Sequence, residues 1–294
     1  MNGSVIAIAN MKGGVGKTTL AMGIGVMLEE MGYKTLLVDL DPQAHLTAAL
    51  FPTVLPDYNV FDLLQKKPYQ IHQVKGTDNL YLLPSNLMTF VQYYGSPLSS
   101  VHVSMFGHQL WSEMHQKLKE DFDYILIDCP PEPVFSSIGL RAADYLVIPT
   151  DPSELSIRGA IIFIENIFTA ENKKRGSDMR ARVLSIPSLK LLGVAIIKAR
   201  RGATYYSRIG KMESVVSKYI NTYPGITKNI YSGSIIFNSK IGSHDYLQDI
   251  QFENTRHRIP PIVNILKGNA KTYENLRQEF RELTEEFLDR IKNF

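Results

Sequence analysis

The stretch SVIAIANMKGGVGKTTL constrains this chain more than any other part of it. A short apolar, β-branched run leads into three closely spaced glycines, and TTLAMGIGVMLEEMG follows with helical spacing until Gly32 closes it. That order is strand, glycine loop, helix. Gly13, Gly14 and Gly16 allow the backbone to pass close to an anion, with the loop N–H groups turned toward it where the helix begins. We take Gly13, Gly14, Val15, Gly16, Lys17, Thr18 and Thr19 as the phosphate-binding set, with Lys17 placed for the β- and γ-phosphates and Thr18 for a magnesium ion. The strict loop pattern G-x-x-x-x-G-K-[ST] nevertheless fails: it needs glycine at 11, where Met11 stands, and an extra lysine follows at Lys12.

KTLLVDLD reads as a second buried strand, so residues 4–39 make a β-α-β unit with parallel strands and a right-handed crossover. NLYLLPS, DYILIDCP, DYLVIPT and LLGVAIIKA are four more runs of buried-strand type. Helices are expected between them at about 107–120, 134–142, 154–172 and 203–221. Strands alternating with helices predict an α/β fold, a mostly parallel twisted sheet with helices on both faces, P-loop NTPase-like. With no internal repeat or Gly/Ser linker, residues 1–294 are expected to form a single domain, with irregular surface excursions at about 88–106 and 222–262. The last segment, TYENLRQEFRELTEEFLDRIKNF, places Tyr273, Leu276, Phe280, Leu283, Phe287 and Ile291 at three- and four-residue steps, an amphipathic helix expected to pack on the sheet.

Cys129 is the single cysteine, which rules out an internal disulfide and argues against an iron–sulfur cluster or structural zinc. No charged-then-apolar leader and no membrane-spanning run is found, so we expect a soluble cytoplasmic protein. The net charge of +3 is unevenly spread: twelve Lys and Arg face two acids between Lys173 and Lys218, leaving the remainder at −7. Such a cluster is either a solvated face or the electrostatic footprint of a polyanion binder. KARRGATYYSRIGK is its densest part, and Arg200, Arg201, Arg208 and Lys211 are the favoured contacts to such a polyanion.

A phosphate loop with magnesium also needs a carboxylate at the end of a neighbouring strand. Asp128 in DYILIDCPP is in that position and would hold the metal through water. Asp39 and Asp41 end another strand. One of them is expected to position an attacking water, and Asp41 lies farther toward the loop; Asp39 remains a further candidate near the metal, with turn formation before Pro42 as the alternative role. Lys12, one position after the missing glycine, points away from the phosphates its own loop surrounds and is expected to neutralise charge in the active site of a second copy.

KGGVGKTT, DLDPQ, IDCPP and the late LKGNAKTYENL, in that order, resemble the deviant Walker A ATPases of the ParA/MinD family over about residues 4–222 and, loosely, 262–294. The resemblance implies ATP and Mg²⁺ as cofactors, Lys12 as the lysine crossing an ATP-dependent homodimer, Lys17 and Thr18 as the P-loop pair, Asp41 as the catalytic carboxylate and Asp128 as the Walker B aspartate. It places adenine contacts near Pro260 to Ile262, implies that the polyanion is DNA and adds Lys240 as an outlier among the DNA contacts. The chain begins at its first strand, so we expect no operator-reading helix-turn-helix domain. The C-terminal helix, with six acids against four bases from Glu274 onward, lacks the basic face of MinD-type membrane helices, so no membrane partner is expected.

What remains resembles the short partition ATPases. The implied activity is slow ATP hydrolysis, stimulated by a ParB-like centromere-binding protein, by a dimer that binds DNA without sequence preference and is nucleoid-associated. The same switch carrying a protein cargo through an adaptor is the first alternative. A P-loop small-molecule ligase is the second, and it would have no use for a basic face.

Overall fold

Alternate residues of the first strand, β1 (Ser4–Ile8), feed two separate cores: Val5 and Ala7 face one layer, Ile6 and Ile8 the other. Both faces of such a strand are covered, which is why it reads as an unbroken apolar run. The computed structural model describes residues 3–51, 57–94, 100–199, 227–244 and 260–294, together with 207, 209–211, 213–215 and 217–218. Among these, eight strands form one sheet in the order β3-β4-β2-β5-β1-β6-β7-β8. They are β2 (Thr35–Asp39), β3 (His72–Gln73), β4 (Leu80–Leu83), β5 (Tyr124–Asp128), β6 (Tyr145–Thr150), β7 (Lys190–Ala199) and β8 (Ile236–Gly242). All pair in parallel except β3 with β4.

β5 lies between β1 and β2, in register from Thr35 with Tyr124 to Asp39 with Asp128. The register brings Ile8 opposite Asp128 as well. Three strand ends therefore open on one edge of the sheet, where ligands of open α/β sheets bind.

Helix α1 (Lys17–Glu30) follows β1 and is buried along most of its length. Gly23 in its middle leaves room for the Phe280 ring from the C-terminal helix Glu274–Lys292. Leu276, Phe280, Leu283 and Phe287 of that helix are buried as its spacing predicts, with Tyr273 and Ile291 partly covered. Its acidic face has a structural task. Glu286 accepts the N–H groups of Asn238 at 2.9 Å and Ser239 at 2.8 Å, and Glu279 accepts that of Gly242 at 2.7 Å. These carboxylates satisfy backbone donors along β8, the edge strand.

Two expectations need correction. Residues 88–106 are helical over much of their length, in the helix Leu87–Tyr94 and the start of the helix Ser100–Glu113. Both are rich in β-branched, aromatic and small residues of modest helix propensity; tertiary packing decides, with Phe90 against the rings of Phe61 and Phe135. Within 222–262, expected as an irregular excursion, β8 is a strand, because Ile236, Phe237 and Ile241 are buried and the interrupted ladder is completed by side-chain carboxylates. The helix expected at 107–120 starts at Ser100 and continues through a π-turn at Met114–Leu118 to Asp121. That at 154–172 comprises the helix Glu154–Ile162, a π-turn and a helix ending at Ser177, and that at 134–142 is Pro133–Ala142. Part of the basic segment is interior: Arg175 is buried, ion-paired to Glu171 and donating to the carbonyls of Leu140, Ala143 and Pro187. Among the described residues, no helix is long and apolar enough to cross a membrane.

Candidate nucleotide site

The loop between β1 and α1 closes through two left-handed glycines, Gly14 (φ +72°) and Gly16 (φ +87°), a conformation that costs a side-chain-bearing residue but not glycine. A cleft of about 240 Å³ opens above it, lined by the loop residues Gly13 to Thr19 except Val15, by Asp41, Gln43 and His45 after β2, and by Pro131 and Glu132 after β5. Val15 is instead fully buried, holding the loop onto the core.

Lys17 is 8% exposed and its ammonium donates to the Lys12 carbonyl at 3.0 Å. Burial pushes its pKa down, while the carboxylates of Asp128 and Asp41 act in the opposite sense. Thr18 Oγ1 donates to Asp128 Oδ2 at 2.7 Å, and Asp128 Oδ1 is buried with no hydrogen-bond partner among the described residues. Burial, then the neighbouring Asp39 carboxylate, raise the Asp128 pKa well above the usual carboxylate range. A buried carboxylate oxygen left unpaired beside a hydroxyl is a hard donor set that fits a magnesium ion. Thr18 and Asp128 are the residues that would hold it.

Asp39 is fully buried, and both its oxygens are committed within the chain. Oδ1 accepts the Asp41 N–H at 3.1 Å, and Oδ2 accepts the Thr47 N–H at 2.8 Å and hydroxyl at 2.6 Å. Burial raises its pKa to about 7 against those hydrogen bonds. Asp39 thus organises the turn that delivers Asp41 to the cleft wall. There Asp41 Oδ1 accepts the Gln43 N–H at 2.8 Å, and Oδ2 lies 3.3 Å from His45 Nδ1.

Lys12 does lie outside the cleft lining, but it is not free. Its ammonium is 3.1 Å from Asp151 Oδ2 and also donates to Ser156 and, at 3.5 Å, to Ser153. Burial alone would raise the Asp151 carboxyl; hydrogen bonds from Ser153, Ser156 and Lys12 outweigh it and hold the pKa at about 2. Asp151, Ser153 and Ser156 have no part in the sequence reading, although TDPSELS at a strand end is a helix-capping signal, and Ser153 does accept the Ser156 N–H. His45, Gln43 and Glu132 are likewise legible only once the fold brings them to the cleft.

Of the favoured DNA contacts, Arg200, Arg201 and Arg208 lie outside the described residues. Lys211 is exposed on a helical segment, and Lys240 is half-buried on β8. Near the expected adenine contacts, Pro260 and Ile262 are buried at the start of the helix Pro261–Lys267.

A family model described as an AAA domain matches residues 3–179. The chromosome-partitioning ATPase Soj of Treponema pallidum is 27% identical over 285 residues, covering 94% of this chain and 96% of its own. The chain belongs to the ParA-type partition ATPases. This ParA-type fold is shared with pNOB8 ParA, at a TM-score of 0.75 and 22% identity over 99% of both chains; a second structure of that protein, bound to nonspecific DNA, gives 0.70. Cobyrinic acid a,c-diamide synthase from Mycobacterium smegmatis, with a bound ATP analog and magnesium, gives 0.58 at 29% identity, covering 72% of this chain and 82% of its own.

Proposed function

We propose that this ParA-type chain is a Mg-ATP-dependent switch that dimerises on nucleotide, binds DNA without sequence preference and is released when a centromere-bound partner stimulates hydrolysis. The carrying observation is the meeting of Thr18 and Asp128 beneath the glycine loop, with Asp128 Oδ1 unpaired and Asp41 on the facing wall. Magnesium, when bound, would neutralise and orient the phosphates. The loop N–H groups bind those phosphates, and Lys17 exchanges the Lys12 carbonyl for a phosphate oxygen. Asp41 accepts a hydrogen bond from the attacking water and so orients it, while Lys12 leaves Asp151 to neutralise charge across the dimer. The exposed Lys211 and the neighbouring arginines supply phosphate contacts, which place the dimer on the nucleoid in the cytoplasm.

The test is binding to an unrelated DNA duplex, with ATP and with ADP, across a salt series. Binding that requires ATP and falls steeply with salt is the expected result. Binding in neither state removes the DNA switch and favours a small-molecule ligase, the reading supported by the likeness to the diamide synthase. A cargo adaptor in place of the centromere-bound partner leaves the DNA result unchanged and is separated by the protein that stimulates hydrolysis.

A further inference from the structure

A loop that turns its N–H groups toward an anion turns carbonyls the other way, and each of those needs a donor. The Lys12 carbonyl takes the Lys17 ammonium and the Gly16 carbonyl takes the Leu20 N–H at 2.8 Å. The Gly14 carbonyl takes a donor from far along the chain, the Lys198 ammonium at 3.0 Å.

Lys198 reaches the loop through unusual backbone. It is a lysine at φ +60°, in the left-handed region, near the end of β7 where the pairing with β8 shifts register between Ile196 and Ala199. Such a conformation persists in a non-glycine residue only where its surroundings hold it. The preceding residue makes a second contact: a Cβ added to Gly16 would meet Ile197 Cγ2 at 2.9 Å. The end of β7 therefore touches the phosphate loop at both of its left-handed glycines, by packing at Gly16 and by a charged donor at Gly14.

We propose that Lys198 is a positioning residue of the phosphate loop: its ammonium clasps the Gly14 carbonyl from outside and so fixes the loop N–H donors toward a nucleoside polyphosphate. This rests on reading the cleft as a nucleotide site. Unlike Lys17 it is exposed and acts through the backbone, and it adds a positive charge at the loop rim. The sequence gives no hint of the role, because Lys198 counts there as one more cation of the basic segment.

The experiment compares wild type, Lys198→Gly and Lys198→Arg in equilibrium binding of a fluorescent ATP analogue with magnesium, with thermal midpoints measured alongside. Glycine accepts φ +60° without strain, so Lys198→Gly removes the ammonium while leaving the backbone at ease. The expected result is affinity lowered about fivefold, the size of one ordinary hydrogen bond, at an unchanged or raised midpoint. Lys198→Arg keeps a cation of similar reach and should return affinity to within about twofold of wild type. Equal affinity in all three proteins overturns the clasp. Equal loss in Gly and Arg overturns it too, since the ammonium would then not be the group that matters. A wild-type protein that binds no nucleotide instead removes the nucleotide reading, and the clasp with it.

Discussion

Lys12 and Asp151 form an ion pair at 3.1 Å within one chain, across 139 residues of sequence. Lys12 is 40% exposed and Asp151 21%, so the pair is worth about 1 kcal/mol or less. A contact of that strength holds a lysine in place yet yields it to a phosphate. In the proposed switch, this pair stores on its own chain the lysine that is offered to a second copy.

Releasing the store should favour the dimer. In Asp151→Asn, Lys12 loses its charged partner, and ATP-dependent dimerisation measured by sedimentation should tighten by up to about 30-fold, the worth of the two pairs that a homodimer breaks. Unchanged or weaker dimerisation would mean that the pair does not compete with assembly.

In the proposed switch, Lys12 and Lys17 have different tasks. Chains carrying Lys12→Ala, mixed with chains carrying Lys17→Ala, should hydrolyse ATP faster than either alone if Lys12 acts across the interface. Hydrolysis no faster than either parent, with the mixed dimer shown to form, excludes the trans role.

Asp41 stands on the cleft wall with one backbone hydrogen bond to its side chain, from Gln43, whereas the fully buried Asp39 carries three hydrogen bonds of the turn. Asp41→Ala should lower kcat by about 10²-fold or more while nucleotide binding persists. Asp39→Ala should instead lower the thermal midpoint, because it strips the Thr47 N–H and hydroxyl of their acceptor. The two variants are told apart by measuring binding and unfolding together.

Asp144 is one carboxylate whose surroundings should make stability depend on acid pH. It accepts from the Val5 N–H, lies 3.0 Å from His115 Nε2 and 2.9 Å from Lys119 Nζ. Burial would raise its pKa, but His115, Lys119 and the Val5 N–H together hold it down at about 2. A depressed carboxylate pKa gives stability that is present above the unfolded value near 4 and disappears as pH falls through the folded value. Asp144→Asn should therefore cost about 2 kcal/mol at pH 7 and flatten the loss of stability between about pH 4 and pH 2. Denaturant midpoints across that range check it, and parallel acid limbs in the two proteins would contradict the assignment.

The P-loop, the Asp128 strand and the C-terminal helix were legible because each announces itself within about twenty residues, by glycine spacing, by an apolar run ending in a carboxylate, or by a three-four repeat. β8 was not, since Asn238, Ser239 and Lys240 interrupt its apolar run and the donors it leaves are met by Glu279 and Glu286 from another element. The Lys12 store and the Lys198 clasp were hidden for the same reason. Each joins residues more than 130 positions apart, and no local pattern encodes such a contact.

The carboxylates along β8 also bear on how copies of this chain can associate. An edge strand with open N–H groups is a template for another strand, and sheets that end in one are prone to add neighbours without limit. Here the opposite margin is β3, only two residues long, and on β8 the donors of Asn238, Ser239 and Gly242 are already taken. Among the described residues, both margins therefore offer few open donors to a further strand.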